Sequence, residues 1–168
     1  MSRGLRLLCL AVFAFLALPA AGAFACAGDG ARPGTVAYSR AVECLVNQQR
    51  AAAGLSALGH DRHLARAARR YSSSMVRQGF FDHVSPSGST LGSRARAAGF
   101  DGETLGETIG WGAGELATPS AIVQGWMNSP PHRSILLGGE FRKIGLGVAS
   151  GSPVGIAGAA TVTADFGG

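Results

Sequence analysis

His132 stands in the run Trp126-Met127-Asn128-Ser129-Pro130-Pro131-His132-Arg133-Ser134-Ile135-Leu136-Leu137, which gives its imidazole a defined setting. Ser129 is suited to cap a helix, and Pro130 to open one, because the first helical N–H has no partner in any case. His132 then falls in the first turn, where the positive end of the helix dipole disfavours an imidazolium. A neutral imidazole accepts protons or binds a metal. Arg133 projects about 100° away around the helix and does not duplicate it.

His83 lies in Phe80-Phe81-Asp82-His83-Val84-Ser85-Pro86-Ser87-Gly88, where two aromatics anchor the approach and the Ser/Pro/Gly sequence makes a stiff turn. Such a loop either presents the ring or lets it bond a carbonyl within the loop. Glu107 sits among Leu105, Ile109 and Trp111. A carboxylate in that company points to a buried partner or a cleft position, against the alternative of an exposed loop acid. Beside a histidine it could serve as acceptor, general base or third metal ligand. His60 and His63, three apart, could share a metal, but a solvated helix end is the simpler reading. Ser85 and Ser129 have simpler roles as turn and cap than as nucleophiles. No His-Glu-x-x-His, Gly-x-Ser-x-Gly or Cys-x-x-Cys motif is present.

The elements that must position these residues are mostly helical at first. Tyr38, Val42, Leu45, Val46 and Gln49 mark one helix from Val36, ended by Gly54. Leu64, Ala67, Ala68, Tyr71 and Met75 mark a second from about Asp61 to Gln78, closed by Gly79. Thr90 to Ala98 predicts a third, and Leu105 to Ile109 a short strand or extended loop. Thr118-Pro119 opens a fourth, to Asn128. Two strands follow, Lys143–Ala149 and Gly155–Phe166, the latter with Val162, Ala164 and Phe166 on one face and Thr161, Thr163 and Asp165 on the other. Gly151-Ser152-Pro153 between them predicts an antiparallel hairpin. Helices first and strands last indicate α+β.

Residues 1–25 read as a secretory signal: a basic start at Arg3 and Arg6, an apolar stretch Leu7–Leu18, and Ala23-Phe24-Ala25 before Cys26. The stretch is shorter than the about 20 residues that span a bilayer, and Ala23-Phe24-Ala25 is not the sequence expected before a lipidated cysteine. Residues 26–35 form a small-residue leader and 36–168 one domain. Losing Arg3 and Arg6 lowers the formal net charge of +5 by two, to +3. No basic cluster is interleaved with aromatics, so nucleic-acid binding has no support. No transmembrane segment is expected in the mature chain, and a monomer is expected. Cys26 and Cys44 remain as an even pair in an exported protein and are expected to form one disulfide, with about 3 kcal/mol as its ceiling.

Three segments together resemble the CAP superfamily, the SCP-like extracellular domain of cysteine-rich secretory proteins, venom allergens and plant pathogenesis-related proteins. They are Asp82 to Gly88, Gly106-Glu107-Thr108-Ile109, and Trp126 to Leu137 with Phe141-Arg142-Lys143-Ile144-Gly145-Leu146-Gly147. Leu45 to Arg50 and Thr163-Ala164-Asp165-Phe166-Gly167 resemble the bacterial branch. The resemblance implies a three-layer α-β-α sandwich with a small antiparallel sheet. It also implies a cleft whose histidines are His83 and His132 and whose acid is Glu107, a set that could hold Zn2+. A second glutamate usual after the family tryptophan is absent, since Met127, Asn128 and Ser129 follow Trp126. The resemblance favours a secreted, extracellular module that binds a lipid, peptide or cell-envelope ligand, free or wall-associated. A structural envelope protein comes second, and a metal-assisted hydrolase using His83, His132 and Glu107 third. Fold resemblance alone does not choose among these.

Overall fold

The computed structural model describes residues 26–168, and the segment read as an export signal lies outside the described residues. Five helices follow the sequence signals closely. In α1 (Val36–Ala52), the Thr35 side chain accepts from the Tyr38 N–H. In α2 (Arg62–Gln78), Asp61 accepts from His63 and Leu64, and Gly79 closes the helix in the left-handed region at φ 66°. In α3 (Leu91–Ala97), Thr90 and Ser93 form a reciprocal capping box. Thr118 caps α4 (Pro119–Asn128), and α5 (Pro130–Leu136) follows at once.

Four strands form one sheet: β1 (Gly59–His60), β2 (Leu105–Gly112), β3 (Lys143–Ser150) and β4 (Ala160–Gly167), in the order β1-β3-β4-β2. The expected β3–β4 hairpin is antiparallel, β2 pairs antiparallel with β4, and β1 runs parallel to β3. One strand was not anticipated, and one expected boundary needs correction. β1, at two residues, is too short to leave a periodic signal. The last strand begins at Ala160 rather than Gly155, because Gly155 and Gly158 turn the chain at φ 81° and 72°.

The two sheet faces are buried by different means. Ile144, Leu146 and Val148 of β3 and Val162, Ala164 and Phe166 of β4 pack with Tyr38, Val42, Val46, Trp126 and Leu136 of α1, α4 and α5. The opposite face carries Thr161, Thr163 and Asp165, and it too is buried. There α2 lies directly on the backbone of β3. A Cβ on Gly145 would stand 2.1 Å from the Ala65 nitrogen, and one on Gly147 2.1 Å from the Ala68 carbonyl carbon. On this face Ser72 Oγ donates to Gly147 O and lies 2.8 Å from Thr163 Oγ1, whose hydroxyl can donate to it. The architecture is an α-β-α sandwich of the α+β class.

Two anchors hold the layer that carries His132. A disulfide joins Cys26 to Cys44 in α1. Arg50, 1% exposed, reaches from α1 to donate to Ser56 O at 3.0 Å, Leu136 O at 2.8 Å and Gly138 O at 2.9 Å. Leu136 O is a carbonyl at the end of α5 that the helix itself cannot satisfy, and Gly138 O lies two residues beyond it. Replacing Arg50 with methionine leaves them buried without a donor. The expected loss is about 3 kcal/mol, read as a lower urea midpoint; an unchanged midpoint would refute this role.

Candidate functional site

The site is assembled on β2. Glu107 lies on the face covered by α2 and α3, with a side chain only 3% exposed. Its Oε1 accepts from His83 Nδ1 at 2.8 Å, and its Oε2 from Arg94 Nη2 at 2.5 Å. A carboxylate only accepts, so the hydrogen bond assigns the His83 proton to Nδ1 and leaves Nε2 for a ligand.

Arg94 organises the His83 loop. Its guanidinium donates through Nη1 to His83 O at 3.1 Å and to Ser89 O at 2.9 Å. It also lies 3.4 Å from the centroid of the Tyr71 ring. Tyr71 in turn donates its hydroxyl to Asp82 O at 2.7 Å. The loop is thus clamped on both sides of the histidine, and Ser85 serves within it by accepting from the Ser89 N–H.

Beneath this cluster lies a second carboxyl group. Asp165 of β4 is the direct cross-strand partner of Glu107 and is fully buried. Burial raises its pKa well above the usual carboxylate range, and the adjacent Glu107 raises it further, by charge and by hydrogen bonding. As a carboxylate, Asp165 would have no donor for either oxygen. As an acid, it removes a like charge from beside Glu107. The folded state therefore keeps a proton that the unfolded chain releases at about pH 4. Asp165 accordingly makes the fold less stable as pH rises from there towards its folded pKa.

The two histidines are tuned in opposite directions. The hydrogen bond to Glu107 raises the His83 pKa, with the Glu107 and Asp82 charges adding to it. This pairing contributes stability that is complete below the ordinary histidine pKa and is lost as pH rises through the folded value. Replacing Glu107 with glutamine is expected to move the His83 titration to lower pH, followed by NMR of its ring protons. A titration that stays in place would show that Glu107 does not control the ring.

For His132 the pKa is lowered, first by burial and second by the charge of nearby His83. The neutral ring anticipated from the sequence is therefore favoured, with burial as the leading cause. Ser129 occupies the cap position of α5 yet makes no capping hydrogen bond. Its Oγ lies 2.9 Å from His132 Nδ1 instead.

Beside the histidines opens a cleft of about 380 Å3 lined by Phe81, Ile109, Trp111, Leu116, Trp126 and His132, among others. Trp126 fixes its floor by donating Nε1–H to Ile109 O at 3.0 Å. The other two histidines lie elsewhere. His60 Nδ1 pairs with Glu43 at 2.9 Å, and His63 Nδ1 bonds Ala98 O at 2.7 Å. A zinc cage of His83, His132 and Glu107 does not fit this arrangement. Both Glu107 oxygens are already hydrogen-bonded, one of them to a permanent cation. Among the described residues, no group of three His, Cys, Asp or Glu side chains is placed to hold a metal ion.

Sequence reasoning picked out His83, Glu107 and His132; the structure bonds His83 to Glu107 and sets His132 near enough to His83 to feel its charge. It did not find Arg94, Asp165 or Tyr71. Asp165 did carry a usable signal, since strand alternation already set it on the face opposite Phe166.

Comparison with known proteins agrees with this architecture. The model of the cysteine-rich secretory protein family, CAP, matches residues 44–163. The YkwD protein of Bacillus subtilis (strain 168) is 38% identical over 117 residues, covering 69% of this chain and 44% of the relative. An extracellular protein with an SCP domain from Bacillus anthracis superposes with a TM-score of 0.65 at 29% identity, over 77% of this chain and 40% of that one. An outer surface protein of Borrelia burgdorferi shares the fold, with a TM-score of 0.65 at 20% identity over 75% of this chain and 88% of its own. This chain thus spans less than half the length of the two Bacillus proteins. The clamped histidine loop, the β2 glutamate and the Trp126–Leu137 helix pair stand within one α-β-α sandwich, and the chain belongs to the cysteine-rich secretory protein (CAP) family.

Proposed function

We propose that this protein is an exported binding module whose histidine cleft takes an amphipathic ligand, a lipid, peptide or cell-envelope component. The observation that carries the reading is an apolar shelf at the cleft. Trp111 is 37% exposed, Phe81 43% and Leu116 69%, and all three line the pocket that holds His132. Large apolar side chains left open around a concave site mark a binding surface. The shelf accommodates an apolar body, while the ring nitrogens of His132 and neighbouring His83 meet a polar head. The signal-like residues 1–25 and the Cys26–Cys44 disulfide support export, as does the extracellular description of the Bacillus anthracis relative.

A second reading is hydrolysis. Ser129 Oγ within hydrogen-bond reach of His132 supports it, because a hydroxyl beside an imidazole can act as a nucleophile with its base. Among the described residues, no third side chain bonds His132 to orient it, which leaves binding the stronger reading.

The test compares binding of lysophospholipid and of an apolar peptide by tryptophan fluorescence. It uses the wild type, Trp111→Ala, and the His83→Ala/His132→Ala double variant. The expected result is at least tenfold weaker binding in both variants, with no turnover of an ester analogue. Equal affinity in all three would overturn the binding reading, and ester turnover that disappears in Ser129→Ala would favour the second.

A further inference from the structure

The outer face of α2 carries charge of one sign. Arg62, Arg66, Arg69, Arg70 and Arg77 all stand on this helix, which contains no aspartate or glutamate. At about 100° of rotation per residue, the five fall within about 100° of arc and extend over about 22 Å. The other side of the helix, with Leu64, Ala68, Tyr71 and Met75, is buried. Four of the arginines are exposed, and Arg66 is half-buried. Arg62 and Arg66 approach the His63 ring, each at 3.2 Å. Among the described residues, none of the five makes an ion pair. The carboxylates next along the chain are occupied elsewhere. Asp61 accepts from the His63 and Leu64 N–H groups, and Asp82 from that of Val84. Such a row of like charges repels itself and concentrates anions.

Beyond the C-terminal end of α2 stands the turn that joins β3 to β4. A Cβ on Gly151 would lie 3.1 Å from Val76 Cγ1, and one on Gly79 3.5 Å from Pro153 O. The turn leaves Val154 68% and Ile156 43% exposed. It is held in shape by Ser152, whose Oγ accepts from the Ile156 N–H at 2.8 Å and whose carbonyl accepts from the Gly155 N–H at 3.2 Å. The apolar pair is thus presented to the outside by a bonded turn. Neither these two residues nor the five arginines line the histidine cleft.

We propose that the arginine face of α2 and the Val154–Ile156 turn together form a docking surface for an anionic lipid bilayer. The guanidiniums take lipid phosphates in forked hydrogen bonds, and the two apolar side chains enter the boundary between headgroups and acyl chains. Basic side chains act on an anionic surface over about a Debye length, so the row draws the domain in and the turn inserts. A soluble polyanion would satisfy the arginines but leave Val154 and Ile156 in water, and the turn therefore favours the bilayer. A second copy of this chain is disfavoured as the occupant, because its own arginine face would repel the first.

The experiment sediments residues 26–168, which carry every described element of the fold, with vesicles of phosphatidylcholine alone or mixed with phosphatidylglycerol. Binding is expected to the mixed vesicles only, and to fall away in about 1 M salt, where screening leaves a Debye length of about 3 Å. Reversing three exposed charges, by Arg69→Glu, Arg70→Glu and Arg77→Glu together, is expected to weaken binding at least tenfold. Lysine at the same three positions is expected to keep most of it. Val154→Ser with Ile156→Ser, which leaves the charge unchanged, is expected to weaken binding several-fold. Cooperative thermal unfolding reports that each variant is folded. Three results would overturn the proposal. One is equal binding to neutral and anionic vesicles. Another is binding that survives the triple reversal but is lost in Trp111→Ala, which would assign the bilayer to the histidine cleft. The third is binding that ignores the serine pair while long-chain polyphosphate competes for the arginines, which would assign the face to a soluble polyanion.

Discussion

Replacing Arg94 with alanine is expected to destabilise the domain by about 3–5 kcal/mol and to free the His83 loop. The magnitude follows from burial. The Arg94 side chain is 8% exposed, and it faces Glu107, itself 3% exposed. Removing one member of a buried pair leaves the other charge without compensation, the costly way to break such a pair. Glu107 would then stand beside Asp165 with His83 as its remaining partner. The loop would lose its bonds through His83 O and Ser89 O and the packing of the guanidinium on Tyr71. Denaturant unfolding measures the first effect, and hydrogen exchange of residues 82–89 the second. Lysine at this position is expected to recover only part of the loss, since it cannot supply the forked geometry. An Arg94→Ala protein with wild-type stability and an unaltered loop would show that the buried cluster is held by something else.

The largest effect is expected at Gly147. Alanine there would place its Cβ 2.1 Å from the Ala68 carbonyl carbon and 2.2 Å from the Arg69 nitrogen. Both are backbone atoms in the middle of α2, so no side chain can turn aside to make room. The helix would have to lift off the sheet, opening the packing around Leu64, Ala68 and Ser72. A cost above about 4 kcal/mol is expected, a large share of the about 5–15 kcal/mol that holds a typical domain folded. Soluble expression and thermal unfolding of Gly147→Ala check this. A folded variant melting within a few degrees of wild type would contradict the close approach of α2 and β3. Gly125, with open space where a Cβ would stand, is the natural control.

These two positions also show where the amino-acid sequence was legible and where it was not. Helix boundaries were readable because Thr35, Asp61, Gly79, Thr90 and Thr118 act locally, through a cap or a left-handed turn. His83, Glu107 and His132 stood out because each is a polar group in an unusually aromatic or constrained setting. Arg94 gave no such signal, since an arginine on a short helix looks like any solvated surface residue. Its role comes from β2 and α2, which are close only once the chain has folded. Asp165 was assigned to the correct strand face, but alternation cannot tell a solvated polar face from one covered by a helix. The clue was the small residues: Gly145 and Gly147 alternate on β3, and Ala65 and Ala68 face them from α2. Together they describe two backbones in contact, and so a polar strand face without water. The register that sets Asp165 opposite Glu107 depends on pairing between segments far apart in the chain, beyond any local pattern.

Ser129 carries a conflict between two tasks. Its hydroxyl is held by the ring of His132, so the first turn of α5 goes without the side-chain cap that a serine in that position ordinarily provides. An aspartate there could restore such a cap and strengthen the helix by about 1 kcal/mol, but only by withdrawing the hydroxyl from the imidazole. A thermostability screen would thus reward a change that loosens the cleft. Any engineered version of this domain selected only for heat resistance should be checked first at this residue.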